Sequence, residues 1–185
     1  MAREYDESPF SAHRANITLN AGLGAVTANK NINLLNNTSE KLSAVLKDCE
    51  SGNIWVITFA DRSGGETNNS FYAYEVSDTG VNTTPVISPV GINITERRGY
   101  LKFSPDGTKL VCANIRQGIY LFDFDTATGN VSNTQRININ FNSGSQKPQS
   151  SYGLEFSPDS QLLYVSTYFE TPQIDFNDPT AQYGA

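Results

Sequence analysis

Residues Gly99–Gly129 read GYLKFSPDGTKLVCANIRQGIYLFDFDTATG, and this stretch decides the fold. Tyr100-Leu101-Lys102-Phe103 is a short β-prone run. Ser104-Pro105-Asp106-Gly107 closes a turn: proline presets φ at the first central position, and glycine relieves strain near the end. Lys109 to Asn114, with Leu110, Val111 and Cys112, is a second strand. Gln117-Gly118 turns the chain again, and Ile119 to Phe124 alternates aliphatic and aromatic residues as a third strand. Asp125 to Gly129 is a turn cluster.

Part of the stretch recurs. Gly99–Asn114 is echoed by Tyr152–Thr167, YGLEFSPDSQLLYVST, with Phe103 and Phe156 lying 53 positions apart. One supersecondary unit repeated at that period points to a β-propeller or a related array. The copy keeps Ser157-Pro158-Asp159 but has Ser160 where the first has Gly107. The second turn therefore either avoids a positive φ at that position or tolerates some strain.

Working outward, Lys41–Leu46 reads as a strand and Ile54–Ala60 (IWVITFA) as a strand buried on both faces. Asp61–Ser70 is a polar loop, expected to be exposed. Ser70–Val76 alternates aromatics, and Thr84–Val90 carries Pro85 and Pro89, which suit an outer edge. Arg136–Phe141 is expected as the outer strand of the unit that begins at Gly99, and Gln173–Phe176 as a late strand of the next. Arg14–Leu19 and Ala25–Leu35 read as an outer hairpin. The fold class is thus all-β: a β-propeller, or part of one, built of four-stranded antiparallel blades. Its divisions are a poorly ordered lead-in over 1–13 and a partial propeller over 14–185. The latter has outer strands at 14–35, a blade over 40–91, a second over 97–141 and an incomplete one over 151–177. A closed propeller takes at least about four blades. The chain therefore reads as a piece of a longer protein, the alternative being closure by oligomerisation. Open terminal sheets would invite self-association through exposed blade faces.

Bulk properties narrow the function. Nineteen asparagines, many at expected turns, and the lack of a sustained 3.6-residue apolar period fit a turn-rich β protein. Net charge is −6, and no basic cluster exceeds Arg97-Arg98, which disfavours nucleic acid as a partner. No run approaches the roughly 20 apolar residues of a membrane-spanning helix, so membrane insertion is not expected. The first residues, MAREYDESPFSAHR, lack the apolar core of a signal peptide. That fits a chain that is not exported, or an internal piece of an exported one. Cys49 and Cys112 lie in unlike contexts, a turn and a strand, so a disulfide between them is not expected, and no pattern calls for a cofactor or a metal.

Four segments together carry a resemblance: Leu19–Val26 (LNAGLGAV), Glu40–Val45 followed by IWVITF, Phe71–Ser88 (FYAYEVSDTGVNTTPVIS), and GYLKFSPDGTKL with LFDFDTATG. In order and spacing the chain resembles, from about Leu19 to Tyr168, a propeller region in large cell-surface proteins of gliding Bacteroidota. Those proteins often carry a C-terminal gliding-motility-associated sorting domain read by the type IX secretion system. The resemblance implies an extracellular or surface-attached, non-catalytic propeller; the expectation set beside it is a binding or scaffold module that contacts a protein or a glycan. The resemblance brings no binding residues with it.

Candidate site residues come from register. Lys102 and Glu155 hold the same place in successive repeats, each between apolar neighbours. In a propeller both would line the central channel, as an inter-blade ion pair or as part of a ligand site at the channel mouth. Arg97 and Arg98 precede one inner strand, and Glu40 and Lys41 hold the corresponding place one unit earlier; these would converge at one mouth of the channel. No catalytic residues are expected. His13 sits in the polar lead-in without a nucleophile beside it, and Asp123, Asp125 and Asn130 are what any strand-ending turn uses. The alternative to a binding or scaffold module is a lactonase-like or other hydrolytic propeller. The inner-strand starts offer it only Glu40, Arg97 and Ser151, so missing blades would have to complete the active site.

Overall fold

A computed structural model describes residues 9–137 and 151–167. Its architecture is all-β, as the alternation of the strands requires. Four short strands come first: β1 (Phe10–Ala12), β2 (Ala15–Asn16), β3 (Ala25–Val26) and β4 (Ile32–Leu35). β1 pairs with β4 and β2 with β3. The next sheet holds β5 (Thr38–Leu46), β6 (Ile54–Ala60), β7 (Asn68–Ser77), β8 (Gly80–Val81) and β9 (Val86–Ile94). It runs β5-β6-β7-β9, with β8 as a small flap on the end of β7. The third part holds β10 (Leu101–Phe103), β11 (Lys109–Asn114), β12 (Gly118–Asp125) and β13 (Asn130–Ile137) in that order. β14 (Ser151–Phe156) and β15 (Leu163–Thr167) form a hairpin. All pairings are antiparallel, and among the described residues no sheet closes on itself.

The sheets stack face to face because their central strands are apolar on both sides. On β6, Trp55, Ile57 and Phe59 face the β10–β13 sheet, while Ala60 packs on the other side with Tyr72, Tyr74, Phe10 and Leu34. On β11, Leu110 and Cys112 face the β5–β9 sheet, while Val111 and Ala113 meet Leu154 and the β14–β15 hairpin. A two-residue period buried on both faces is what a strand sandwiched between layers demands. Phe71 and Phe122 meet edge to face across the first interface at 5.0 Å. Trp55 crosses it too, donating its indole N–H to the Thr126 carbonyl at 2.7 Å. Its ring lies so close to Gly129 that a Cβ there would sit 2.8 Å from it, and Gly129 itself has φ +77°.

The two Ser-Pro-Asp turns repeat one hydrogen-bond chain. Ser104 Oγ donates to Asp106 Oδ1 at 2.6 Å and accepts from the Lys109 amide at 2.9 Å. Ser157 Oγ does the same with Asp159, at 2.6 Å, and the Leu162 amide, at 2.8 Å. Ser160 takes the left-handed conformation, φ +62°, where the first turn has Gly107 at +74°. The repeat therefore tolerates the strain rather than changing turn type. Ser160 Oγ also accepts the Asp106 amide at 3.2 Å, joining the two turns.

Five local expectations change, two of them near the start: Phe10–Ala12, expected in a poorly ordered lead-in, is the strand β1, and the expected strand Ala25–Leu35 is two short strands, β3 and β4, with different partners. The fourth strand of the β10–β13 sheet starts directly after the Gly129 turn, at Asn130, and not at Arg136; of Arg136–Phe141, only Arg136 and Ile137 are described, and both belong to β13. This edge strand buries only Val131 along its length, so it carries little hydrophobic signal. Asp61–Ser70 is not exposed throughout. Asp61, Asn68 and Ser70 are buried, and the Asp61 carboxylate accepts from the amides of Ser63 and Thr67, closing the loop on itself. The expected strand Arg14–Leu19 shrinks to Ala15–Asn16, followed by a turn of 3-10 helix at Asn20–Gly22. Gln173–Phe176 lies outside the described residues. Both cysteines are free, Cys49 exposed and Cys112 buried.

Candidate functional site

The three first strands, β5, β10 and β14, lie beside one another, and the Tyr100 amide donates to the Tyr152 carbonyl at 2.9 Å. At their heads is a cleft of about 310 Å³ lined by Glu40, Lys41, Leu42, Gly99, Tyr100, Leu101 and Tyr152. Alternation along β5 sets its chemistry. Glu40 and Leu42 point outward and Lys41 inward.

Lys41 is 1% exposed. Its ammonium donates to the carbonyls of Arg98 at 2.8 Å, Gly99 at 3.2 Å and Arg97 at 3.4 Å, so it clasps the linker between the two large sheets. Burial pulls its pKa below the ordinary 10.5, partly offset by the attraction of Cys112, Glu40 and Glu96. Burial likewise pushes the Cys112 thiol up. The linker can pass this closely only because residue 99 is glycine: φ is +120°, and a Cβ would collide with the Ala113 carbonyl.

Glu40 completes the arrangement from outside. Its Oε1 accepts the Gly99 amide at 2.9 Å and the Tyr152 hydroxyl at 3.3 Å. The Glu40 charge, followed by burial, raises the pKa of Tyr152 and keeps its phenol protonated. Tyr100 and Tyr152 have ring centroids 5.4 Å apart with planes inclined by 56°, and Tyr100 is 51% exposed. The cleft thus presents two aromatic rings, the exposed side chain of Leu42 and one carboxylate over a buried ammonium.

The residues singled out by register are placed as follows. Glu40 and Lys41 line the cleft, but Lys41 turns inward and its ammonium serves the fold. Arg97 and Arg98 meet Lys41 through their carbonyls, and the Arg98 guanidinium clasps Glu96 with Nε–Oε1 at 2.8 Å. That contact, followed by burial acting the other way, holds Glu96 below its usual range. Lys102 and Glu155 form an ion pair at 2.8 Å between β10 and β14, outside the cleft and partly exposed. Such a pair contributes about 0–1 kcal/mol.

Tyr100, Tyr152 and Leu42 were not evident as site residues from the sequence. The available signal was the transposition of Gly99-Tyr100 into Tyr152-Gly153 in the repeat, which puts an aromatic ring at the head of each first strand. His13 is exposed, accepts the Asn31 amide at 3.4 Å, and lines a separate cleft of about 400 Å³ with Arg14, Val56, Tyr74 and Val81. Tyr72 and Tyr74 pack in the core rather than on a surface. Asp125 is engaged within its own turn, accepting from the Ala127 amide and the Thr128 hydroxyl. Among the described residues, no three or more of His, Cys, Asp and Glu gather where they could hold a metal ion. None of the described helices is long and apolar enough to cross a membrane.

No model of a known protein family matches the chain, and no curated protein matches it.

Proposed function

We propose that the chain is part of a β-propeller acting as a non-catalytic binding module of a secreted or cell-surface protein. Successive antiparallel sheets stacked face to face with their first strands side by side support the propeller reading. The binding reading rests on the cleft at the strand heads, where Tyr100 and Leu42 stay exposed over a fully hydrogen-bonded base. Exposed aromatic and aliphatic groups on a rigid, satisfied base suit recognition, and the lining of the cleft includes no serine, threonine, cysteine or histidine. The partner is a protein or a glycan of the cell envelope.

The test is biolayer interferometry of the immobilised chain against purified envelope polysaccharides and purified surface proteins. Saturable binding to one of them that is lost in Leu42→Asp supports the reading. Binding indifferent to that substitution refutes it, and so does reproducible turnover of lactones by the chain.

A further inference from the structure

The cleft at the strand heads is balanced in charge, and this narrows what it would hold. Of its two charged groups, the Glu40 carboxylate faces outward while the Lys41 ammonium has turned inward to three carbonyls. Of the neighbouring charges, Arg98 pairs with Glu96 and Lys102 with Glu155, and the Arg97 side chain is not part of the cleft lining. A phosphate or a carboxylate would meet the exposed carboxylate and no open ammonium. A cationic group would find a single carboxylate, one oxygen of which the Gly99 amide and the Tyr152 hydroxyl already occupy. What remains is ring surface and acceptors. Tyr100, 51% exposed, and Tyr152 offer two inclined aromatic rings, 5.4 Å apart. Glu40 Oε1 is occupied by the Gly99 amide and the Tyr152 hydroxyl, while its second oxygen is directed to neither of them.

Resting on the binding reading above, we infer that the cleft is a site for an uncharged pyranose ring of a glycan. The C–H face of the sugar stacks on Tyr100, and one sugar hydroxyl donates to Glu40. Aromatic surface fits the weakly polarised C–H face, and a carboxylate is the acceptor that competes best with water for a hydroxyl. The volume, about 310 Å³, lies at the small end of ligand clefts and suits one ring rather than a long chain. The base is prepared in advance: Gly99, Lys41 and Glu40 are held by the fold itself, so little ordering is required on binding.

The experiment is saturation-transfer NMR on the full chain with methyl β-glucoside, methyl β-galactoside, methyl α-mannoside and N-acetylglucosamine. Transfer to the ring protons of at least one sugar is expected. Tyr100→Ala should weaken it about tenfold or more, the equivalent of about 1.4 kcal/mol. Tyr100→Phe, which keeps the ring, should retain it. Glu40→Gln keeps an oxygen for the Gly99 amide but weakens the acceptor, so binding should fall with the fold intact. Tyr164→Ala, at an exposed tyrosine on β15, is the control and should change nothing. No transfer to any of the four sugars overturns the inference, as does transfer unchanged in Tyr100→Ala. If a surface protein binds in a Leu42-dependent way while no sugar does, the sugar assignment fails and the binding-module reading stands.

Discussion

Replacing Lys41 by Met tests whether a buried ammonium holds the two large sheets together. Methionine keeps an unbranched stem of similar length and removes every donor. The carbonyls of Arg97, Arg98 and Gly99 then lose contacts of 3.4, 2.8 and 3.2 Å. The contact to Gly99 is buried and the other two are partly so. A hydrogen bond to a charged group contributes about 1.5–3 kcal/mol net when buried. The two part-buried carbonyls recover water and lose about 0.5 kcal/mol each. The sum, an upper bound because methionine is spared the desolvation of the ammonium, is about 3 kcal/mol, or a fall in Tm of up to about 6–12 °C for a chain of this size. Urea and thermal unfolding followed by Trp55 fluorescence would measure it. The pH dependence adds a second readout. Burial lowers the folded pKa below 10.5, so as pH rises the folded chain sheds this proton before the unfolded chain does. The unfolded state then binds more protons, and wild-type stability rises relative to Lys41→Met up to that value. Lys41→Met as stable as wild type would refute the reasoning, because desolvation of the ammonium would then outweigh its hydrogen bonds. A gap that narrows as pH rises would refute it as well.

Gly129→Ala should destabilise by about 2–4 kcal/mol, from left-handed strain at φ +77° and from a Cβ forced 2.8 Å from the Trp55 ring. A loss under about 1 kcal/mol in urea unfolding would show that the ring moves aside freely. A double-mutant cycle on Lys102→Gln and Glu155→Gln should give a coupling of no more than about 1 kcal/mol, since the side chains are 38% and 63% exposed. A larger coupling that resists salt would contradict this exposure. Burial raises the Tyr74 pKa to about 12, and its hydroxyl donates to the Leu34 carbonyl at 2.9 Å. The unfolded chain loses the Tyr74 proton first as pH rises, so wild-type stability falls between about pH 10 and pH 12. Tyr74→Phe should cost about 1 kcal/mol at pH 7 and flatten that alkaline fall, and an unchanged alkaline limb would refute the assignment.

The elements with strong local signals were legible beforehand. Ile54–Ala60 forms β6 at the expected bounds, because seven consecutive β-prone residues leave few alternatives. The Ser-Pro-Asp turns follow from proline, serine and a carboxylate acting within a few residues. Register alone made Lys102 and Glu155 neighbours, since equivalent positions in stacked repeats lie side by side, and the structure decides for an ion pair between them. The edge strand β13 was misplaced because polar residues on an open edge need no hydrophobic pattern. Asp61 and Lys41 were hidden for a related reason. A charged residue announces exposure in sequence, and only the fold supplies the donors or carbonyls that make its burial tolerable.

By itself, the order of residues determined the apolar central strands, their alternation and the repeat of one turn. These depend on backbone preference and on a two-residue period, both local. Only the tertiary structure decided that Lys41 turns inward, that Glu40 meets both Gly99 and Tyr152, and that Tyr100 lies beside Tyr152. Those contacts join residues separated by 52 to 112 positions, and they exist because the face-to-face packing of the sheets brings three strand heads to one place.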